Sequence, residues 1–310
     1  MISPIDFFHD LTNPMLSFLP KALLISIISS LVCAIVGTHV VLRGMAFIGD
    51  AVAHAVFPGI VIAFVCQGSF LLGGAVAGLV VAILVAVFSQ NRRIKEDTII
   101  GIFFAASFAL GMIIISQVQG YSASLTNFLF GSITGVPDED IIISALIGTI
   151  IITILLLFNK QIVAVSLDRE TARAQNLPVF WLDLLLYCAV TTAVVISVRT
   201  IGNILVLALL VTPAATARLL TDNLAKMMIL SAGNSIICSF VGLYASWSLN
   251  TPTGATIVAT VTIVFFATWL ISPKHGIIAK FIASRCTTTQ CVDIHSEQSA
   301  KFAHLYHNDK

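Results

Sequence analysis

Three long stretches of this chain contain no Asp, Glu, Lys or Arg at all: residues 51–91, 98–137 and 227–273. Charge is scarce throughout, at 10% of 310 residues, whereas 58% are hydrophobic and mean hydropathy is +1.01. A soluble core of this size does not need such runs. A spanning helix takes roughly 20 apolar residues, so each stretch holds about two spans.

Other absences narrow the function. No Gly-x-x-x-x-Gly-Lys-Ser/Thr sequence occurs, so the chain carries no phosphate loop of the common ATPase type. No His-Glu-x-x-His occurs, which weakens an intramembrane metalloprotease reading. The N-terminus lacks a basic region followed by a short apolar one and a cleavage site, so the first span is expected to direct insertion itself. Six cysteines form no disulfide framework: Cys33, Cys66, Cys188 and Cys238 sit in apolar spans as packing thiols, and Cys286 and Cys291 fall in a polar tail.

The apolar runs predict an all-α, polytopic membrane bundle of about nine transmembrane helices, with eight to ten compatible. The spans are 17–42, 47–66, 70–88, 99–118, 139–158, 179–198, 201–219, 227–247 and 254–272. Residues 1–283 form the membrane domain, and 284–310 a disordered tail. With the N-terminus outside, fourteen of the sixteen Lys and Arg fall on the cytoplasmic side, and only Lys21 and Arg199 face outward. That asymmetry is the one inner-membrane proteins show. Within 119–137, residues 124–131 are expected to form a short re-entrant or surface helix.

Inside the apolar background, Asp50 and His54 stand four residues apart, on one face of a helix. Ionisable groups at membrane depth are costly and by default mark an ion or substrate path. Carboxylate with imidazole is also a ligand set that divalent transition metals accept, manganese or zinc better than copper(I). Falling pH protonates both groups and weakens such coordination. His39 is a lesser candidate, and a lone His near a helix end reads first as a packing residue.

Two polar connections interrupt the apolar runs. Residues 90–97 read as a solvated loop. Residues 166–176 read as a two-turn surface helix with Ser166 as cap, Asp168 and Glu170 in the first turn, Arg173 in the last and Asn176 as stop before Pro178. It is either a plain connector or a docking helix for a cytoplasmic partner. Pro213, in a run of Ala and Thr, is expected to kink its helix where neighbours approach closely. Residues 250–254 read as an external turn.

The chain resembles the membrane permease subunits of binding-protein-dependent ABC transporters for manganese, zinc and iron. The resemblance rests on residues 41–59 (Val-Leu-Arg-Gly-Met-Ala-Phe-Ile-Gly-Asp-Ala-Val-Ala-His-Ala-Val-Phe-Pro-Gly), on 168–178, on 210–218 around Thr212-Pro213-Ala214, and on Gly242-Leu243-Tyr244 followed by Pro252-Thr253-Gly254. It implies two permease copies forming one pathway in a bacterial inner membrane. A separate cytoplasmic ATPase subunit supplies the hydrolysis, and an extracytoplasmic binding protein hands over the metal. The chain is thus expected to be no enzyme and to hold no intrinsic cofactor, its metal being cargo. Zinc or manganese is favoured, with iron compatible. Asp50 and His54 would then form a transient metal site, completed by the second copy or by other helices. Asp168, Glu170, Ala172 and Asn176 would belong to the helix coupled to the ATPase. The family pattern often has glycine where Asn176 stands, and Asn tolerates the left-handed conformation that ends a helix.

Two rivals come from other classes. A proton-coupled secondary transporter would use Asp50, His54 and Asp183 as a relay, but Asp183 reads as a hydrated residue at a membrane edge, and no internal repeat is evident. An intramembrane protease needs a nucleophile–base pair, and Ser122 in its loop is a poor one. In the tail, Cys286, Cys291, His295, His304 and His307 are potential zinc ligands, though Cys-x4-Cys is looser than structural zinc knuckles.

Overall fold

The computed structural model describes residues 4–13, 16–45, 47–90, 94–116 and 137–272. The anticipated helix at 124–131 and the tail with its Cys and His lie outside the described residues. Among those described there is no strand, and eight helices are long and apolar enough to cross a membrane. The shorter apolar helix Leu72–Phe88 brings these to nine.

In chain order the helices are α1 Pro4–Thr12, α2 Phe18–Arg43, α3 Ile48–Ala55, α4 Phe57–Val65, α5 Phe70–Phe88, α6 Glu96–Ser116, α7 Asp138–Leu157, α8 Asn159–Leu167, α9 Arg169–Ala174, α10 Val179–Ile201, α11 Asn203–Leu220, α12 Leu224–Leu249 and α13 Thr253–Ile271. Three of these refine the expected layout. The short α1 was not anticipated; Phe7 packs edge-on against Phe240 and Tyr244, and the Trp247 indole donates to Asp10 at 3.0 Å. The span 47–66 is present, but its hydrogen-bond ladder lacks a rung where α3 gives way to α4, with Val56 itself still right-handed helical (φ −72°, ψ −24°). Pro58 explains the missing rung, since it has no N–H for the His54 carbonyl and its ring crowds that carbonyl. Beyond α7, an extra helix, α8, takes up residues assigned to the following connection.

Helix α2 is the axis of the bundle. Helices α11 and α12 pack along it most extensively, joined by α7 and α10. Two thirds of its apolar window is buried (67%), against 11% for the peripheral α13. Lipid offers no hydrophobic drive for helix association, so close packing has to supply it, and small residues mark the crossings. A Cβ on Gly37 would run into the Leu210 carbonyl oxygen of α11. Gly59 and Gly73 let α4 and α5 cross backbone to backbone, beside Ala63 and Ala77.

The antiparallel course gathers the connections with Arg43, Lys95, Arg169, Arg173, Arg218 and Lys226 at one end, called here the basic end. Val41 and Leu224 pack there on Ala214, Ala217 and Met227. At the opposite end the Lys21 ammonium meets Asp138 at 2.6 Å, and Asn250 (φ +53°) turns α12 into α13.

Candidate functional site

Helix α3 buries Ile48, Gly49, Ala51, Val52, Ala53 and Ala55, which leaves Asp50 and His54 as its two incompletely buried positions. Gly49 is what brings α3 close to α11: a Cβ there would sit 2.8 Å from Leu210 Cδ2 and 3.3 Å from Leu207 Cδ1. Asp50 lies in the first turn above the basic end, and His54 one turn further along. His54 Nε2 stands 3.4 Å from Asp50 Oδ1, with side-chain exposures of 21% and 38%. The imidazole is walled by Phe104 (5.3 Å between centroids) and Phe108 (5.2 Å, edge-on) of α6. Among the described residues no third His, Cys, Asp or Glu joins the pair. One carboxylate oxygen and one imidazole nitrogen therefore lie together one turn before Pro58.

A second charged constellation lies just below, at the basic end, and sequence reasoning passed over it. Asp183, expected to hydrate at a membrane edge, is fully buried in the first turns of α10. It accepts from both Arg43, the last residue of α2, and Arg169 of α9, the latter at 3.0 Å. Glu96, at the start of α6, takes Arg43 Nε at 3.1 Å and also pairs with Arg169. The Arg169 guanidinium reaches the Ser89 carbonyl at the end of α5 (3.1 Å), and Gln90 bridges Asp183 (3.2 Å) to Arg173 (3.1 Å). Arg43 also lies over the Tyr187 ring, 5.5 Å from its centroid. The 90–97 connection is thus not simply solvated at its ends, because Gln90 and Glu96 are both engaged, while residues 91–93 lie outside the described residues. The sequence signal was the placement of Arg43, Glu96 and Asp183 in terminal turns at one end, where each needs a partner of opposite sign.

The short connecting helix is smaller than expected. It starts at Arg169, because Asp168 caps it in extended geometry (φ −151°), accepting from the Glu170 N–H at 2.9 Å and from the Thr171 hydroxyl. Ser166 instead belongs to α8 and donates back to the Ile162 carbonyl at 2.7 Å. Asn176 takes the left-handed conformation (φ +58°), and the Leu177 N–H returns to the Ala172 carbonyl at 3.1 Å, closing the helix as a glycine would. Ala172 is buried and seats the helix on the bundle, while Asp168, Glu170 and Asn176 are exposed. A cleft lined by Arg43, Glu96 and residues 165–170 opens beside it.

Pro213 is buried within α11, next to Ala214 and Ala217, three residues beyond Leu210, where α2 comes closest. His39 is fully buried in α2, and neither ring nitrogen has a hydrogen-bond partner among the described residues.

Among the described residues, eight long apolar helices and a shorter ninth around an acid–imidazole pair have the build of a multi-pass transport permease. The ABC 3 transport family matches residues 15–272, and the chain belongs to that family. It is 40% identical over 262 residues to the manganese transport system membrane protein MntC of Listeria monocytogenes, covering 84% of this chain and 93% of that protein. It is 34% identical over 263 residues to the probable iron transport system membrane protein of Haemophilus influenzae, covering 85% and 93%. Among solved structures it resembles PsaBC from Streptococcus pneumoniae in complex with Fab, with TM-score 0.76, 35% identity, and 88% and 98% of the two chains covered. The family disfavours the secondary-transporter rival.

Proposed function

We propose that this chain is the membrane permease of an ABC importer for a divalent transition metal ion, with Asp50 and His54 as ligands along the path. The single observation that carries this is the Asp50–His54 pair just before the α3/α4 junction, beside an aromatic wall and with no third protein ligand among the described residues. Manganese is the first expectation, since a hard carboxylate and a borderline imidazole suit it and relatives bear manganese in their names. Iron, named in other relatives, and zinc fit the same donors.

An ion entering the pathway exchanges water for the Asp50 carboxylate and the neutral His54 imidazole. Two donors bind weakly, and weak binding permits release, which conduction requires. A second copy related by a two-fold axis would bring the same pair from its own α3, and the ion would pass between them. In this reading the basic end is cytoplasmic. A separate ATPase subunit seats on α9 against Asp168, Glu170 and Asn176, with Ala172 holding the helix to the bundle. An extracytoplasmic protein delivers the ion at the opposite end.

The test is radioactive manganese uptake by proteoliposomes holding permease, ATPase and binding protein. Asp50→Asn and His54→Ala should each lower uptake by at least the roughly 10–100-fold that loss of ligand support costs at metal sites, with the complex still assembled. An ATPase subunit unable to hydrolyse ATP should abolish uptake. Wild-type rates in both permease variants would refute the site, and uptake driven by a proton gradient without ATP would restore the secondary-transporter reading.

A further inference from the structure

The Arg43–Glu96–Asp183–Arg169 tetrad is balanced in charge and graded in depth: Asp183 is fully buried and Arg43 5% exposed, while Glu96 and Arg169 are 19% and 26% exposed. Stability alone does not account for it, because well-packed apolar residues usually hold a bundle at least as well as buried ion pairs do. Its connectivity is more telling. The four residues come from four helices, and only Arg169 belongs to α9. Arg43 is followed by Gly44 in the left-handed conformation (φ +75°), where a Cβ would meet nothing within 4 Å. Gly44 is the junction where α2 ends, with its N–H and that of Met45 returning to the Val41 and Val40 carbonyls and Met45 buried, and Asp50 follows six residues after it. The cleft beside α9 also exposes Arg169 and Glu96 to whatever seats there.

We propose that the tetrad is a latch that sets the angle of α3, and so the Asp50–His54 geometry, according to the seat of α9. Arg169 and Arg43 are positioning residues. When α9 shifts, its guanidinium drags on Glu96 and Asp183, and their other partner, Arg43, moves the junction at Gly44. Arg43 meets Glu96 as a fork, through Nε and Nη2, while Arg169 reaches both carboxylates through Nη2 and the Ser89 carbonyl through Nη1, so each planar guanidinium is held in orientation where a lone ammonium would swivel. The latch rests on the metal-permease reading above.

The experiment uses the full complex in proteoliposomes and measures manganese imported and phosphate released in the same vesicles. Arg169→Gln and the charge-balanced pair Glu96→Gln/Arg169→Gln should keep hydrolysing ATP while ions imported per ATP fall by roughly 5–150-fold, the range of a severed coupling. Arg169→Lys should restore part of that ratio. A spin label at Phe47→Cys, on the exposed start of α3, should shift between nucleotide-free and ATP-bound wild type and stay still in the double variant. An unchanged ratio in both variants, full recovery in the charge-balanced pair, or an undiminished label shift would overturn the latch. Wild-type complex that imports no manganese would instead refute the metal reading, and the label shift would still decide the latch.

Discussion

Two sets of ionisable side chains sit a few turns apart in an otherwise apolar bundle, and they are satisfied in opposite ways. The tetrad at the basic end pairs every charge with a partner of opposite sign, around a fully buried Asp183. The Asp50–His54 pair has one contact at 3.4 Å, an open side, and no third ligand among the described residues. Ionisable groups left incompletely paired at membrane depth are candidates for a path. In the reading proposed above, the saturated tetrad is the latch and the incomplete pair is the path.

Stability should separate the two sets most strongly. Asp183→Ala leaves Arg43 and Arg169 sharing one carboxylate in a buried site, and breaking such a set costs about 3–5 kcal/mol. That should appear as a large drop in melting temperature in detergent, or as failure to purify. Asp50→Ala removes a carboxylate that is over a third exposed and should leave the melting temperature almost unchanged. Equal losses in the two variants would break the contrast.

A smaller effect should come from geometry without charge. Gly49→Val adds bulk where α3 meets the flexible ends of Leu207 and Leu210. Overpacking of this kind costs about 1–3 kcal/mol, and it should also lower manganese uptake by shifting the adjacent Asp50. Uptake at the wild-type rate would mean that the position of α3 matters less than its side chains do.

The smallest effect should be confined to α9. Reversing Asp168 and Glu170 to Lys alters the exposed first turn and removes a cap worth about 1 kcal/mol. Co-purification with the ATPase should weaken, while the bundle melts as before. Full assembly with normal coupling would end the docking assignment.

The spans were legible in the sequence because apolar runs of the right length leave few alternatives, and all nine have counterparts in the structure. The Asp50–His54 pair was legible because four-residue spacing is local helix geometry. The division of this span into α3 and α4 was not read, although Pro58 is plain in the sequence, because a proline kinks some spans and interrupts others, and neighbouring helices decide which. Asp183 was misread for a different reason. Its partners stand 140 and 14 residues away along the chain, and no local pattern reveals which charges converge. The cap of α9 shows competition at close range: Ser166 and Asp168 both suit the role, and the extended backbone at Asp168 settles it.

The central claim is that a metal ion is held by His54 and Asp50 on its way through. Pulsed electron paramagnetic resonance of manganese in the assembled transporter, with 15N-histidine in the permease alone, reads this directly. The account predicts a manganese–nitrogen coupling that disappears in His54→Ala and a manganese signal that weakens in Asp50→Asn. A nitrogen coupling that survives His54→Ala, or bound manganese with no histidine nitrogen in wild type, would contradict it.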